Sequence, residues 1–167
     1  PELTAEAFDE EGFYRIGDAM RFLDPADPSR GLVFDGRVAE DFKLSTGTWV
    51  SVGTVRVNLI AAANPVVQDA VVTGHDRNEV GALVFLSPAA QGMAPEAIRA
   101  RLREALATLA SGSSSTHPTR LLVLERPASI DAGEITDKGY LNQRAVLEHR
   151  AALVEQLHAG GADVVSL

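Results

Sequence analysis

Apolar positions recur along this chain with two periods, and the changes between them mark its elements. Residues 13 to 23 mix aromatic and β-branched residues in partial alternation and are followed by the Pro- and Asp-rich residues 24 to 30. This predicts a strand and a turn. Residues 31 to 36 form a short apolar run bounded by Gly31 and Gly36, shaped to pair back on that strand, so residues 12 to 36 are predicted to be a β-hairpin. A second β-rich patch, residues 42 to 52, surrounds Thr46-Gly47-Thr48, where glycine supplies the backbone freedom a turn requires. The period then becomes helical, with Val55, Leu59, Ala62 and Ala63 in step, Thr54 as the expected cap and Asn64-Pro65 as the stop.

Residues 68 to 72 and 81 to 86 are strand-like runs on either side of the polar cluster His75-Asp76-Arg77-Asn78, which predicts a second hairpin. Pro95 suits a first helical position, and Ile98, Leu102, Leu106 and Leu109 repeat as one buried stripe. Residues 111 to 116 are Gly/Ser-rich and read as a flexible loop, and residues 121 to 124 as a short buried strand. Residues 125 to 138 have no apolar period. One last helix is expected from an Asn142 cap through Val146, Leu147, Val154 and Leu157 to Gly160-Gly161. The predicted class is α+β, a small mixed or antiparallel sheet with packed helices.

Composition narrows the function classes. With 46% hydrophobic and 23% charged residues in 167, the chain has the make-up of one ordinary folded domain with at most a short appendage. Its net charge of -8 is opposite in sign to a duplex-binding surface, so nucleic acid is not an expected partner. The absence of Cys excludes disulfide scaffolds, thiolate metal sites and Cys nucleophiles and is compatible with a reducing cytoplasm, the expected location. No apolar run is long enough for a membrane span. The chain opens at Pro1 rather than Met, as expected either of a segment of a longer polypeptide or of a trimmed small protein.

Most signals of chemistry are missing. The serines at 113 to 115 lack a nucleophile-elbow pattern, and His75, His117, His149 and His158 show no paired metal-ligand spacing. Each His reads as a solvated or capping imidazole, and no metal ligands are expected. Two segments stand apart: residues 36 to 49, which set both charge signs and the single Trp, Trp49, beside a Gly turn, and residues 130 to 140, an aperiodic Gly-flanked loop carrying Lys138. A loop Lys can reach a phosphate or carboxylate as a compact point charge. The competing expectation is a surface Lys paired with Glu134 or Asp137. Trp49 by itself reads as a core anchor.

In order and spacing these segments resemble the C-terminal end of adenylate-forming acyl-CoA ligases, most closely the feruloyl-CoA synthetase-like branch. Tyr14-Arg15-Ile16-Gly17-Asp18 resembles the family's ribose-binding motif, Gly36-Arg37 its hinge motif, residues 43 to 47 its thioester-forming loop, and Gly133-Glu134-Ile135-Thr136-Asp137-Lys138-Gly139-Tyr140 its catalytic-lysine segment. The resemblance implies nucleotide contacts by Asp18 and Arg37, a hinge at Ala39 and Glu40, a CoA or thioester loop with Lys43, Gly47 and Trp49, and catalysis by Lys138. It implies that residues 1 to 38 end a large N-terminal adenylation domain and that residues 39 to 167 form a C-terminal lid domain. ATP (released as AMP), a carboxylic acid, CoA and Mg2+ are the implied ligands, with the metal held mainly by the large domain. The implied activity is activation of a carboxylic acid, ferulate or another aromatic acid, to an acyl-adenylate and then a CoA thioester, with the fragment alone inactive. Against it stands a noncatalytic α+β binding or interaction module.

Overall fold

The computed structural model describes residues 7 to 110 and 117 to 167, so the loop expected at 111 to 116 lies outside the described residues. The chain divides into two compact units, Pro1–Ala39 and Glu40–Leu167.

The first unit is a hairpin. β1 (Asp18–Phe22) pairs antiparallel with β2 (Leu32–Arg37), with Met20 opposite Phe34, Phe22 opposite Leu32 and Asp18 opposite Arg37. The strands are joined through the turn at Asp24 to Arg30, where Asp24 and Asp27 accept hydrogen bonds from the backbone N–H groups of Ala26 and Ser29. Strand residues two apart share a face, so Met20, Phe22, Leu32 and Phe34 form one apolar face, and each is about half exposed. β1 is shorter than the predicted strand, beginning at Asp18 after Gly17, and a bulge shifts its register between Asp18 and Met20.

The second unit is a sheet with helices on both faces. β5 (Val67–Thr73), β6 (Gly81–Leu86), β7 (Arg120–Val123) and β8 (Val164–Ser166) lie side by side in that order. The outer pairs are antiparallel, and β6 and β7 are parallel. A parallel pair needs a crossover, here supplied by α2 (Pro95–Leu109). Alternate residues of β6 and β7 divide the core. Ala82, Val84 and Leu121 pack with Leu59, Leu102 and Leu106 of α1 (Val52–Ala62) and α2, whereas Leu83, Phe85 and Leu122 pack with Val146 and Leu157 of α3 (Gln143–His149) and α4 (Ala151–Ala159). Because both faces are covered, the strands read as continuous apolar runs rather than alternating ones. A small hairpin, β3 (Phe42–Lys43) with β4 (Trp49–Val50), closes a third cluster through Phe42, Leu44 and Val50 against Val55, Val72 and Val80.

Three expectations are corrected and one strand is added. α1 is capped at Ser51 rather than Thr54, and its Val52 N–H donates to the Asp41 carboxylate at 2.9 Å. The last helix is two helices, broken at Arg150 (φ −110°, ψ 28°) without any Pro or Gly, where the Arg150 guanidinium is pinned by the loop below it. β8, which completes the sheet, has only three residues, too few to show a period. Finally, His117 is buried rather than solvated, and desolvation, then Arg77 and Arg120, pushes the half-buried His158 imidazole's pKa down. No helix among the described residues is long and apolar enough to cross a membrane.

Candidate functional site

In the first unit the hairpin register brings Asp18 and Arg37 together as cross-strand partners, both exposed. Residues directly opposite in an antiparallel pair have Cβ atoms about 5 Å apart, yet the carboxylate and guanidinium make no hydrogen bond or ion pair among the described residues. A neighbouring diagonal pair, Arg21 and Asp35, does close, at 3.8 Å. Gly17, at φ 76°, turns the chain into β1, and its carbonyl accepts from the Val38 N–H at 2.9 Å, which fixes the end of the hairpin. Val38–Glu40 form one 3-10 turn. Ala39 closes the first unit and Glu40 opens the second.

In the second unit the β3–β4 turn brings Lys43 and Trp49 together: they are register partners, and the ammonium lies 5.6 Å from the centre of the indole, within range of a cation–π contact. Gly47 makes the turn possible at φ 82°, donating its N–H to the Leu44 carbonyl at 2.8 Å. Trp49 is 53% exposed, which corrects its reading as a core anchor. Strand alternation sends Phe42 and Val50 inward and puts the register pair Lys43 and Trp49 on the outer face.

Lys138 is exposed at the tip of a tight turn in the loop leaving the carboxyl end of β7. The Gly139 N–H donates to the Thr136 carbonyl at 2.9 Å, the Thr136 N–H to Tyr140 at 2.8 Å, and Ile135 bridges Leu141. Gly139 sits at φ 81°, a left-handed conformation that glycine takes without cost. The ammonium makes no hydrogen bond or ion pair among the described residues. The alternative pairing with Glu134 is corrected, because both Glu134 oxygens are taken by Arg150, from Nε at 2.8 Å and Nη2 at 2.7 Å. That two-pronged bond, with a further one from the Ser129 N–H, holds the buried Glu134 carboxyl at a pKa of about 2 against the cost of burial. Beneath the turn lies an open cleft of about 590 Å³ lined by Phe85, Leu86, Leu124, Ile135, Gly139 and Leu141. No hydrogen bond or ion pair joins Lys138 to the Lys43–Trp49 hairpin.

The Glu134–Arg150 pair was not foreseen. Its one signal in the sequence is that Arg150 falls on the apolar stripe of Val146, Val154 and Leu157, where a charge demands a partner. Among the described residues no group of three or more His, Cys, Asp or Glu side chains could hold a metal ion.

Residues 44–161 match the family model of the AMP-binding enzyme C-terminal domain. Over 162 residues the chain is 26% identical to a carboxylic acid reductase of Mycobacterium marinum, of whose length it spans 13%. The crystal structure of the adenylation domain of a carboxylate reductase from Mycobacterium chelonae superposes with a TM-score of 0.76 at 28% identity, covering 96% of this chain and 25% of that one. The corresponding domain from Segniliparus rugosus, solved with AMP and a co-purified carboxylic acid, gives 0.76 at 28%, over 95% of this chain and 25% of that one.

Proposed function

Because this chain belongs to the family of AMP-binding enzyme C-terminal domains, we propose that it closes over an adenylation domain to activate a carboxylic acid and pass it to a thiol. The carrying observation is that Asp18, Arg37 and Lys138 are exposed charges with no partner among the described residues. Other exposed charges, such as Arg103 and Asp131, are also solvated, and what sets these three apart is their place in the segments 14 to 18, 36 to 37 and 133 to 140 that carry the motif resemblance. The exposed apolar face of the β1–β2 hairpin supports a larger body that covers it. So does the small share of its relatives' length that the chain spans.

In this reading Asp18 accepts hydrogen bonds from two ribose hydroxyls and orients the nucleotide, and Arg37 contacts the same nucleotide. The substrate carboxylate attacks the α-phosphorus of ATP, the bond to pyrophosphate breaks, and an acyl-adenylate forms. The Lys138 ammonium stabilises the negative charge that gathers on the phosphate and carboxylate oxygens, a contribution worth about 3 kcal/mol of barrier. A thiolate then attacks the acyl carbon and AMP leaves. Ala39 and Glu40, where the two compact units meet in sequence, provide the hinge between half-reactions. Lys43, Gly47 and Trp49 line the approach of the thiol. Mg2+, which the resemblance places on the adenylation domain rather than on these residues, would supply charge neutralisation for the phosphates.

The acceptor we propose is coenzyme A and the acid an aromatic one such as ferulate, a choice that rests on the motif resemblance. The naming of the relatives as carboxylic acid reductases favours a second reading, in which the activated acyl group is finally reduced. Both readings need the adenylate first. Lys138→Ala in the enzyme carrying this domain is expected to lower acid-dependent ATP–pyrophosphate exchange about a hundredfold, with thioester formation from supplied acyl-adenylate retained. Exchange and transfer at unmutated rates would make Lys138 a surface residue and favour a binding module. A CoA thioester among the products, against an aldehyde, separates the two acceptors.

A further inference from the structure

The Lys138 turn contains little that could hold it in place. Its own hydrogen bonds are local, and Lys138, Gly139 and Tyr140 are exposed. What ties the turn to the domain is its stem. The Asn142 N–H donates to the Glu134 carbonyl at 2.8 Å, and Asn142 Nδ2 donates to Gly133 at 3.1 Å, so both strands of the stem converge on Glu134. The Glu134 side chain is the buried end of that stem. Besides its two bonds from Arg150 it accepts the Ser129 N–H at 2.8 Å, which closes the loop upon itself. Arg150 spends its other donors on the Arg126 and Pro127 carbonyls, both at 2.8 Å, and its guanidinium lies 5.2 Å from the centre of the Phe85 ring of β6. One side chain thus connects the segment leaving β7, the stem of the turn, the sheet and the break between α3 and α4.

We propose that Glu134 and Arg150 are positioning residues for Lys138, a buried ion pair that fixes the angle at which the Lys138 turn leaves the domain. The proposal rests on the reading of Lys138 given above. A fork-to-fork pair fixes distance and plane together, which a point charge cannot do. The chemical step is sensitive to that angle, because a displacement of about 1 Å at a catalytic group costs up to about a hundredfold in rate. The turn lies four residues from Glu134, so tilting its base carries the ammonium with it.

The test compares Arg150→Lys, Lys138→Ala and the double variant in the enzyme carrying this domain. Arg150→Lys keeps the charge but loses the fork. It is expected to lower kcat of acid-dependent ATP–pyrophosphate exchange about 10- to 100-fold, leaving the KM for the acid and thiol transfer from supplied acyl-adenylate unchanged. A residue acting through Lys138 has nothing further to lose once Lys138 is gone, so the double variant is expected to be no slower than Lys138→Ala. Full multiplication of the two losses overturns the proposal, as does an unimpaired Arg150→Lys enzyme beside a crippled Lys138→Ala one. If Lys138→Ala exchanges at the wild-type rate, it is the reading of Lys138 that has failed. A second readout, in the 167-residue chain, guards against misfolding: Glu134→Gln should speed amide hydrogen exchange at Gly139 and Asn142 by a larger factor than at Leu83 and Leu121, whose amides follow global stability. Unchanged exchange at the turn overturns the proposal, and so does exchange raised equally in the sheet.

Discussion

Replacing Glu134 by Gln removes one charge of a buried pair and leaves its shape. The folded carboxyl titrates near 2, against 4.5 for an unperturbed one, so ionisation is linked to folding by about 3 kcal/mol at neutral pH. The folded pKa is depressed. The contribution is therefore complete above about pH 5 and is lost as pH falls through 4.5 toward 2. Gln cannot titrate and keeps the amide in reach of Arg150, but the guanidinium, only 12% exposed, loses its counter-charge as it would on protonation of Glu134, so the substitution should cost about 3 kcal/mol at pH 7. Urea unfolding followed by far-UV circular dichroism, for both chains between pH 7 and pH 2.5, measures the effect. The other carboxylates titrate in both, so the difference curve reports Glu134 together with His149, whose Nδ1 lies 4.0 Å from its carboxylate. The difference should shrink by about 3 kcal/mol as pH falls below about 5. Parallel curves, or a difference under about 1 kcal/mol at pH 7, would refute the reasoning that the pair is buried and coupled.

Two further outcomes test the fold and the outer face. Leu106→Ala empties a fully buried site between α2 and the sheet and should cost about 2 to 5 kcal/mol in the same unfolding assay, where a smaller loss would argue against that core. Trp49 should emit as a solvent-exposed indole and be quenched freely by acrylamide. Trp49→Ala should change stability by less than about 0.5 kcal/mol, and a shielded, blue-shifted emission would contradict the outward-facing β3–β4 hairpin.

Much of this domain is written locally. The stripe Ile98-Leu102-Leu106-Leu109 needs only its own period to define α2, and the runs around residues 68 to 72 and 81 to 86 need only β-branched residues and a polar turn to become β5 and β6. Asp18, Arg37 and Lys138 came forward as candidates through the motif resemblance of the short segments that hold them, which carry their pattern in consecutive residues. The helical period also continues through Arg150, so the sequence alone favoured one closing helix. What period and spacing cannot encode is which distant groups meet. The parallel pairing of β6 with β7, the seat of the three-residue β8, and the outward turn of Trp49 follow from burial against partners far along the chain. The break at Arg150 belongs with them. Its guanidinium is held by a carboxylate 16 residues earlier and by two carbonyls further back, and only the folded chain brings those groups together, because a buried charge takes its partner from whatever the packing sets beside it.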